Sequence, residues 1–274
     1  MPEVPPSQRD APDSLLGWIP RGREWVPTLR YLLRRDRILA ALSSRAHCGS
    51  LLEIGCGAAA LLVELSDRGY RCVGLEASGP ALEIARQLVS DSGRDVRLLA
   101  APECNWDARF DLLMAFDVLE HIEGDLAALR QWSNWLAPEG QMLLTVPAHQ
   151  SRWGAGDVWA GHFRRYGRSE LIEKLHAVGL RVESVECYGF PLANLTELLG
   201  ERFYRKALKR RSPVGPSSRS EGNALSGVDR GAYRRAMPIL SAAPGRLALR
   251  LGHWLQRLTL QTDWGSGFLV IARK

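Results

Sequence analysis

A short apolar stretch of the chain runs directly into a glycine-rich turn. Residues 51–57 read Leu-Leu-Glu-Ile-Gly-Cys-Gly and lead into a pattern typical of a helix. Glycine is needed where a backbone adopts positive φ or approaches a ligand closely, and the first amides of a helix attract anionic or polar groups. The turn therefore predicts a ligand site. Its spacing, Gly55-x-Gly57-x-x-Ala60, also satisfies a dinucleotide fingerprint, so the turn alone leaves the ligand open.

Three carboxylates stand beside this turn or at the ends of apolar stretches. Glu53 precedes the first glycine by two residues, and its charge suits a cationic amine better than a pyrophosphate. Glu76 ends the next apolar stretch, where a carboxylate can accept hydrogen bonds from ribose hydroxyls. Asp117 follows the stretch at 111–116. Together these groups predict a ligand that carries both an amine and a ribose.

Two histidines are candidates for acid–base chemistry. His121 follows the stretch that ends at 116, and His162 lies in the long segment 148–168. Because an oxygen nucleophile must lose its proton, a nearby imidazole or a bound metal ion assists its attack. We expect His162 and His121 to be the catalytic residues. The alternative for His121 is a structural role, in which it caps a helix or binds the backbone.

An alternation of strands and helices must position these groups. Apolar stretches predict strands at 51–54, 72–75, 96–100, 111–116, 141–146, 181–187 and 267–273. Helical spacing predicts helices over 58–67, 80–89, 126–136 and 169–177, and an earlier one from residue 28. Crossovers of this length predict a parallel, doubly wound α/β sheet, whose ligand crevice lies at the carboxyl ends of the strands.

Several motifs, taken in order, resemble those of class I S-adenosylmethionine-dependent methyltransferases. The chain carries Leu-Glu-Ile-Gly-Cys-Gly at 52–57, Asp-Val-Leu-Glu-His-Ile at 117–122 and His-Phe-Arg-Arg-Tyr-Gly-Arg-Ser-Glu-Leu at 162–171. Val146-Pro147 and the run 265–270 extend the resemblance over nearly the whole chain. The resemblance implies a Rossmann-like, seven-stranded sheet whose last strand is antiparallel, with a helical insertion before that strand.

The resemblance also implies where S-adenosyl-L-methionine binds. The implied cofactor-binding residues are Glu53, Gly55, Cys56, Gly57, Glu76, Trp106, Asp117 and Val118. The glycine turn would surround the methionine part, Glu76 would bind the ribose, and Asp117 would lie near the methionine amino group. Segment 100–106 lacks the Asp-Ala pair that usually contacts adenine. Trp106 would therefore either cover the adenine ring or be a core residue.

One motif raises the question of a metal ion. Asp117-x-x-Glu120-His121, followed by His162, is similar to the arrangement in metal-using methyltransferases of ubiquinone synthesis and of small-RNA ends. In those enzymes carboxylates and imidazoles hold a divalent ion beside the acceptor hydroxyls. Here Asp117 is shorter by one methylene and is assigned to the cofactor. We therefore expect no metal site, and a divalent metal remains the alternative.

The chain divides into a flexible N-terminal arm, 1–27, and a methyltransferase domain, 28–274. The arm contains six prolines. Within the domain, segment 188–264 is far too long for a connection between strands. We expect it to form, together with 148–168, a lid over the acceptor. Ser, Gly and Pro within 210–227 predict a mobile loop.

The net charge of +6 is unevenly distributed. Residues 51–140 carry 15 acidic residues and 7 arginines, so the flanking segments hold the basic surplus. The acidic centre coincides with the cofactor motifs. The basic flanks predict an acidic or phosphorylated small-molecule acceptor rather than a nucleic acid, because no RNA-binding signature accompanies them. Arginines at 164, 165 and 168 either clamp such an anion or brace their loop.

The segment Arg246–Leu260 predicts an amphipathic helix with arginines on one face and leucines on another. Such a helix either makes peripheral contact with an anionic membrane or packs its leucines on the domain and leaves the arginines in water. The five cysteines form no CxxC pair, and no apolar stretch reaches the about 18 residues of a membrane span. We therefore expect a cytoplasmic protein.

The composition, 46% hydrophobic and 24% charged, excludes collagen-like, coiled-coil and wholly disordered classes. We expect an S-adenosylmethionine-dependent methyltransferase that acts on an oxygen or nitrogen atom of a small metabolite, with sugar- or lipid-linked acceptors included. One alternative is an RNA or other nucleic-acid methyltransferase, and another is a catalytically silent cofactor-binding or interaction subunit. A third alternative, a nicotinamide oxidoreductase, is supported by the glycine turn and by no other motif.

Overall fold

A computed structural model describes residues 12–19, 25–43, 49–209 and 231–274. The strands are β1 Ser50–Ile54, β2 Arg71–Leu75, β3 Val96–Leu99, β4 Phe110–Phe116, β5 Leu136–Pro147, β6 Arg181–Tyr188 and β7 Gly267–Arg273. The helices of these residues are α1 Leu29–Leu42, α2 Ala60–Ser66, α3 Gly79–Ser92, α4 Asp125–Trp135, α5 Ala155–Ala160, α6 Arg168–His176, α7 Leu192–Lys209, α8 Gly231–Ser241 and α9 Ala243–Thr259. Short 3₁₀ turns lie at Leu119–His121 and Gln150–Arg152.

The seven strands form one sheet in the order β3-β2-β1-β4-β5-β7-β6. Strands β1 to β5 pair in parallel, and β7 is antiparallel to both of its neighbours. The predicted Rossmann-like sheet with an antiparallel last strand is confirmed. Its strand order reverses between β1 and β4, so the carboxyl ends of these two strands border the crevice where such folds bind ligands.

Both faces of the sheet are covered, as the apolar runs of the strands predict. Successive side chains of a strand point to opposite faces. Leu51 of β1 accordingly packs in the core formed with α1, α2 and α3, and Leu52 packs in the core formed with α4 and α6. The sheet therefore lies between two layers of helices, and the crevice lies at the carboxyl ends of its central strands.

The insertion before β7 contains α7, α8 and α9, so the predicted helical insertion is confirmed. The helix expected at Arg246–Leu260 begins earlier, at Ala243, because Pro244 is well tolerated in the first turn of a helix. Strand β5 also begins before the predicted residue 141, since Leu136 pairs with Phe110 across an irregularity in the ladder. The mobile loop predicted at 210–227 lies outside the described residues.

Part of the expected N-terminal arm packs against the domain. Leu15, Leu16, Trp18 and Trp25 are buried. Asp13 forms a 2.8 Å ion pair with Arg246 at the start of α9. The expectation of a flexible arm therefore does not describe 12–19 and 25–27, where large apolar side chains outweigh the effect of the prolines. The rest of the arm lies outside the described residues.

Candidate cofactor and acceptor site

The glycine turn at the carboxyl end of β1 lies where the strand order reverses. Gly55 and Gly57 have φ angles of 66° and 54°, a region that favours glycine. A Cβ atom on Gly55 would lie 2.5 Å from Val118 Cγ2, whereas one on Gly57 would meet no atom of the described residues within 4 Å. Val118 therefore fills the space beside Gly55, whereas the space beside Gly57 is open to a ligand.

Glu76 is fixed against this turn by backbone hydrogen bonds. Its Oε2 accepts a bond of 2.9 Å from the amide of Gly57, and its Oε1 accepts one of 2.8 Å from the amide of Ser78. Each carboxylate oxygen has two lone pairs, so each can accept a further donor. The carboxylate is thus oriented beside the turn, where the sequence predicts the ribose.

Glu53 lies on β1 with its side chain buried. Its Oε2 atom has no hydrogen-bond partner in the part of the chain that the structure describes. Burial raises the pKa of Glu53 to about 8, against the opposing charge of Arg34. Because a buried acceptor without a partner is unfavourable, a ligand that donates a hydrogen bond there would relieve that cost.

Two arginines of α1 reach across the crevice to Asp117. Arg34 Nη1 lies 2.6 Å from Asp117 Oδ2, and Arg30 donates at 3.3 Å to each carboxylate oxygen. Burial acts to raise the pKa of Asp117, but the charges of Arg30 and Arg34 outweigh it and hold the pKa below its ordinary value. Asp117 is therefore ionised and engaged by two guanidinium groups.

Sequence reasoning missed Arg30 and Arg34 as site residues. Their spacing of four residues places both on one side of α1, which was the available signal. Their partner Asp117 lies 87 and 83 residues further along the chain. Only the packing of α1 over the crevice brings these groups together. Guanidinium groups match the geometry of a carboxylate, so this pair adds anion-binding capacity beside the glycine turn.

The structure brings the two predicted catalytic histidines together. The rings of His121 and His162 have centroids 4.7 Å apart. With Glu120 they form a group whose ligating atoms all lie within 4.8 Å of one another, and His162 Nε2 is 3.9 Å from Glu120 Oε1. A backbone bond of 2.8 Å from the amide of Phe163 to the carbonyl of Glu120 joins the two segments. We call these three residues the Glu–His–His cluster.

The electrostatics of the cluster favour proton or cation binding. Glu120 is fully buried, and neither carboxylate oxygen has a hydrogen-bond partner among the described residues. Burial and the nearby charge of Asp117 raise the pKa of Glu120. Burial, with a contribution from His162, lowers the pKa of His121 to about 3, so its imidazole is neutral. The cluster therefore offers a carboxyl group without a hydrogen-bond partner and a neutral imidazole side by side.

Asp157 orients His162 within the cluster. Its Oδ1 lies 2.9 Å from His162 Nδ1 and 2.8 Å from Arg165 Nε. Burial acts to raise the pKa of Asp157, but the hydrogen bonds from His162 and Arg165 outweigh it and lower the pKa to about 2. An ionised Asp157 holds a proton on Nδ1, so Nε2 is the basic nitrogen and faces Glu120.

The arginines of loop 148–168 are used to brace it. The three arginines that the sequence singles out each pair with a carboxylate of the chain: Arg164 with Asp125 at 2.7 Å, Arg165 with Asp157 at 2.8 Å and Arg168 with Asp263 at 2.9 Å. Of the two roles that the sequence left open for this segment, these contacts match the bracing role.

The remaining predicted cofactor residues differ in their surroundings. Trp106 is only 2% exposed and packs edge-on against Phe110 and Trp135, at 5.3 and 5.0 Å. It therefore occupies the core, the second of its two expected places, and does not lie over an open pocket. The Cys56 thiol in the turn is buried, which raises its pKa and keeps it protonated. Val118 forms the wall that closes the turn at Gly55.

The match to a protein-family profile assigns the chain to a family. The profile of the methyltransferase domain family matches residues 23–185, which is more than half of the chain. The chain belongs to this family. With its fold and its motifs, it is a member of the class I S-adenosylmethionine-dependent methyltransferases. None of the helices in the described ranges is long and apolar enough to cross a membrane.

Two curated relatives are similar to part of this methyltransferase. A ubiquinone biosynthesis O-methyltransferase of Idiomarina loihiensis is 27% identical over 117 residues, which are 41% of this chain and 48% of that protein. One of Rhodopseudomonas palustris is 31% identical over 99 residues, which are 35% of this chain and 39% of that protein. The chain thus spans about half or less of the length of these relatives.

Solved structures share the fold over most of the chain. An S-adenosylmethionine-dependent methyltransferase from Mesorhizobium loti has a TM-score of 0.53 at 15% identity, and the match covers 87% of this chain and 96% of that one. The YcgJ protein from Bacillus subtilis has a TM-score of 0.53 at 15% identity, with 88% of this chain and 98% of that one covered. At such identity the likeness shows the fold alone.

The residues at the crevice fit the cofactor that the family implies. The open cradle above Gly57 leaves room for the ligand, and the unpartnered Oε2 atom of buried Glu53 matches a donor such as an ammonium group. Glu76 is oriented beside the turn for hydroxyl groups. All three residues were predicted from the sequence as cofactor-binding residues, and their roles in binding stay predictions.

Proposed function

We propose that this methyltransferase transfers the methyl group of S-adenosyl-L-methionine to a hydroxyl oxygen of a small-molecule acceptor. The observation that carries the proposal is the Glu–His–His cluster, whose Glu120 and His121 follow β4 just beyond Val118 and whose His162 comes from loop 148–168. A hydroxyl group must lose its proton as it attacks, and the cluster contains His162 as a group that accepts a proton, with its Nδ1 atom bonded to Asp157. Transfer to nitrogen, which the sequence left open, has less need of such groups.

The cofactor would be held by residues on or next to β1, β2 and α1. When bound, S-adenosyl-L-methionine supplies an electrophilic methyl group on a sulfonium centre. The glycine turn and Glu53 would contact its methionine part, and Glu76 would accept hydrogen bonds from its ribose. The guanidinium groups of Arg30 and Arg34 match the methionine carboxylate, because arginine forks suit planar anions. In this arrangement Arg30 and Arg34 would bind the methionine carboxylate, and Asp117 beside them would bind the methionine amino group.

His162 is the proposed proton acceptor. Its Nδ1 atom is bonded to Asp157 at 2.9 Å, so the basic Nε2 atom is turned toward the interior of the cluster. Aligned proton transfer of this kind contributes about 10² to 10⁴ in rate. His121, neutral and in contact with His162, would bind the acceptor hydroxyl or support the ring of His162.

A divalent metal ion is the second candidate for the same position. Glu120, His121 and His162 would hold it, and the unpartnered oxygens of Glu120 are the observation that favours it. Such an ion lowers the pKa of a bound hydroxyl group. Asp117 would not be a ligand, because Arg30 and Arg34 engage it. Three of the four residues that match the metal-using motif, Glu120, His121 and His162, would thus serve as ligands.

The acceptor would be a small metabolite, with acidic, phosphorylated, sugar-linked and lipid-linked compounds as the classes to test. Support comes from the segments expected to form a lid, which contact each other. Glu201 of α7 accepts a bond of 2.9 Å from the amide of Ala155 in α5, and the Trp159 and Tyr204 rings lie 5.1 Å apart. Contact between these two segments beside the site suits a small acceptor better than a folded RNA.

Calorimetry and methyl transfer test the proposal together. We expect S-adenosylhomocysteine to bind and NAD not to bind, and we expect labelled methyl groups to enter hydroxylated metabolites rather than total RNA. Labelling of RNA would favour the nucleic-acid alternative. Tight cofactor binding without any transfer would favour a silent subunit.

A further inference from the structure

Helix α9 turns its apolar face toward solvent. Leu247, Leu251, Trp254 and Leu258 recur at intervals of four, three and four residues, so they share one face of the helix. Their exposed fractions are 67%, 53%, 56% and 64%. We call these four residues the α9 stripe. A contiguous apolar stripe, unlike single exposed leucines, marks an interaction surface.

Contacts on the opposite face fix this orientation. Gln256 is fully buried, donates to the carbonyl of Leu33 at 3.1 Å and accepts from the amide of Gly189 at 3.2 Å. A Cβ atom on Gly252 would lie 2.2 Å from Leu192 Cδ1, so the helix backbone sits directly against α7. Rotation of α9 would break these bonds. The expected arrangement in which the leucines pack on the domain therefore does not match the structure.

A cationic groove of about 560 Å³ runs beside the stripe, between α1 and α9. Its lining contains Trp254 of the stripe, one aspartate and four arginines: Arg35, Arg68, Arg250 and Arg257. Arg35 is paired with Glu64, and Arg257 with Asp36. Arg250 and Arg257 are seven residues apart, so they form a row along the edge of the stripe. The stripe thus has an apolar centre and a basic margin.

We propose that the α9 stripe docks this methyltransferase on the surface of an anionic lipid bilayer. The leucines and Trp254 enter the boundary between headgroups and acyl chains, and Arg250 contacts lipid phosphates. Helices with leucine and tryptophan on one face and arginines beside it bind membranes in this way. Because binding is measured without cofactor, the proposal does not depend on the proposed reaction.

Charge complementarity favours a bilayer over a second copy of the chain. Two copies that met through this face would be related by a two-fold axis, which brings the same surface of each copy together. When the two α9 helices meet antiparallel, Arg250 of one copy approaches Arg250 of the other, and their charges repel. The negative potential of an anionic membrane attracts the same arginines.

Vesicle sedimentation with the full chain tests the proposal. We expect binding to vesicles that contain phosphatidylglycerol, much weaker binding to phosphatidylcholine alone, and a decrease at high salt. The double variant Trp254→Gln/Leu258→Gln should lose about tenfold or more in partition coefficient. The control is Leu198→Gln, which changes a leucine of α7 that is 73% exposed, and it should bind like the wild type. Thermal unfolding checks that each variant is folded.

Two results would overturn the proposal. The first is a wild-type chain that does not bind anionic vesicles, or a folded double variant that binds as well as the wild type. The second is a concentration-dependent dimer in light scattering that the double variant abolishes while neither protein binds vesicles. That outcome would assign the stripe to a second copy of the chain.

Discussion

Arg34 in α1 and Asp117 after β4 form an ion pair of 2.6 Å across the crevice at the glycine turn. The pair joins the first helix of the domain to the segment after β4 that also contains Glu120 and His121. It also places a cation where the family resemblance implies that an amine is bound. The pair therefore belongs to the cofactor site, either as part of its carboxylate-binding groups or as a contact that the cofactor displaces.

Replacement of Arg34 separates these two roles. If Arg34 binds the methionine carboxylate, Arg34→Gln should weaken S-adenosylhomocysteine binding by about 10- to 100-fold, the value of a charge-assisted hydrogen bond. Calorimetry measures the affinity. Arg37→Gln is the matched control, because Arg37 lies on the same helix but pairs with Glu186 at 2.9 Å. Unchanged or tighter binding by the Arg34 variant would contradict the carboxylate role.

His162→Ala should reduce turnover by about 10² to 10⁴ while cofactor affinity stays near that of the wild type, because the proton acceptor acts only on the acceptor hydroxyl. Turnover is measured with labelled S-adenosyl-L-methionine, and affinity by calorimetry with S-adenosylhomocysteine. His176→Ala, at an exposed position at the end of α6, is the control. If turnover by the His162 variant equals that of the wild type, His162 has no role in catalysis.

Glu120→Gln distinguishes a metal site from a cluster that works without metal. Burial raises the pKa of the Glu120 carboxyl, which has no hydrogen-bond partners among the described residues, so an uncharged amide in its place should leave the free energy of unfolding near that of the wild type. If the cluster binds a divalent ion, Mn²⁺ or Zn²⁺ should raise the melting temperature of the wild type and not that of the variant. Equal shifts in both proteins would exclude Glu120 as a ligand.

We expect the ionisation of Glu53 to lower the free energy of unfolding as the pH rises. Since the pKa of about 8 in the folded state lies above the ordinary value of 4.5, protonated Glu53 favours folding. That contribution is fully present below about pH 4.5 and is lost as the pH approaches about 8, by at most about 1.4 kcal/mol per pH unit. Urea unfolding across this window should show that Glu53→Gln lacks the decline.

The matched control for Glu53 is Glu83→Gln, which changes a glutamate on α3 whose side chain is 71% exposed. It should follow the wild-type dependence on pH. A parallel dependence in the wild type and in Glu53→Gln would show that Glu53 is ionised throughout the window. In that case the carboxylate already has a compensating partner in the folded protein.

Local sequence was sufficient for the parts of the site that lie on one strand and the turn after it. The glycines at 55 and 57 were predicted to need positive φ, and both have it. Glu76 was predicted to end the second strand, and it does so bonded to the turn. The order of apolar stretches also predicted the sheet, because parallel crossovers of that length admit few topologies.

Contacts between distant segments were not predictable in the same way. A helical pattern shows which residues of α1 or α9 share a face, but not what that face meets. Arg34 was therefore missed, and the outward direction of the α9 stripe emerged only from the buried contacts of Gln256 and Gly252. Trp106 is a similar case, since an aromatic residue near a ligand and one in the core look alike in sequence.

The most direct test of the central claim is methyl transfer from labelled S-adenosyl-L-methionine to a pool of hydroxylated small molecules, with wild type and His162→Ala compared under saturating cofactor. We expect labelled ether products with the wild type, loss of about 10² or more in rate with the variant, and retained S-adenosylhomocysteine binding in both. Label found only on nitrogen or in RNA, or equal rates for the two proteins, would contradict that claim.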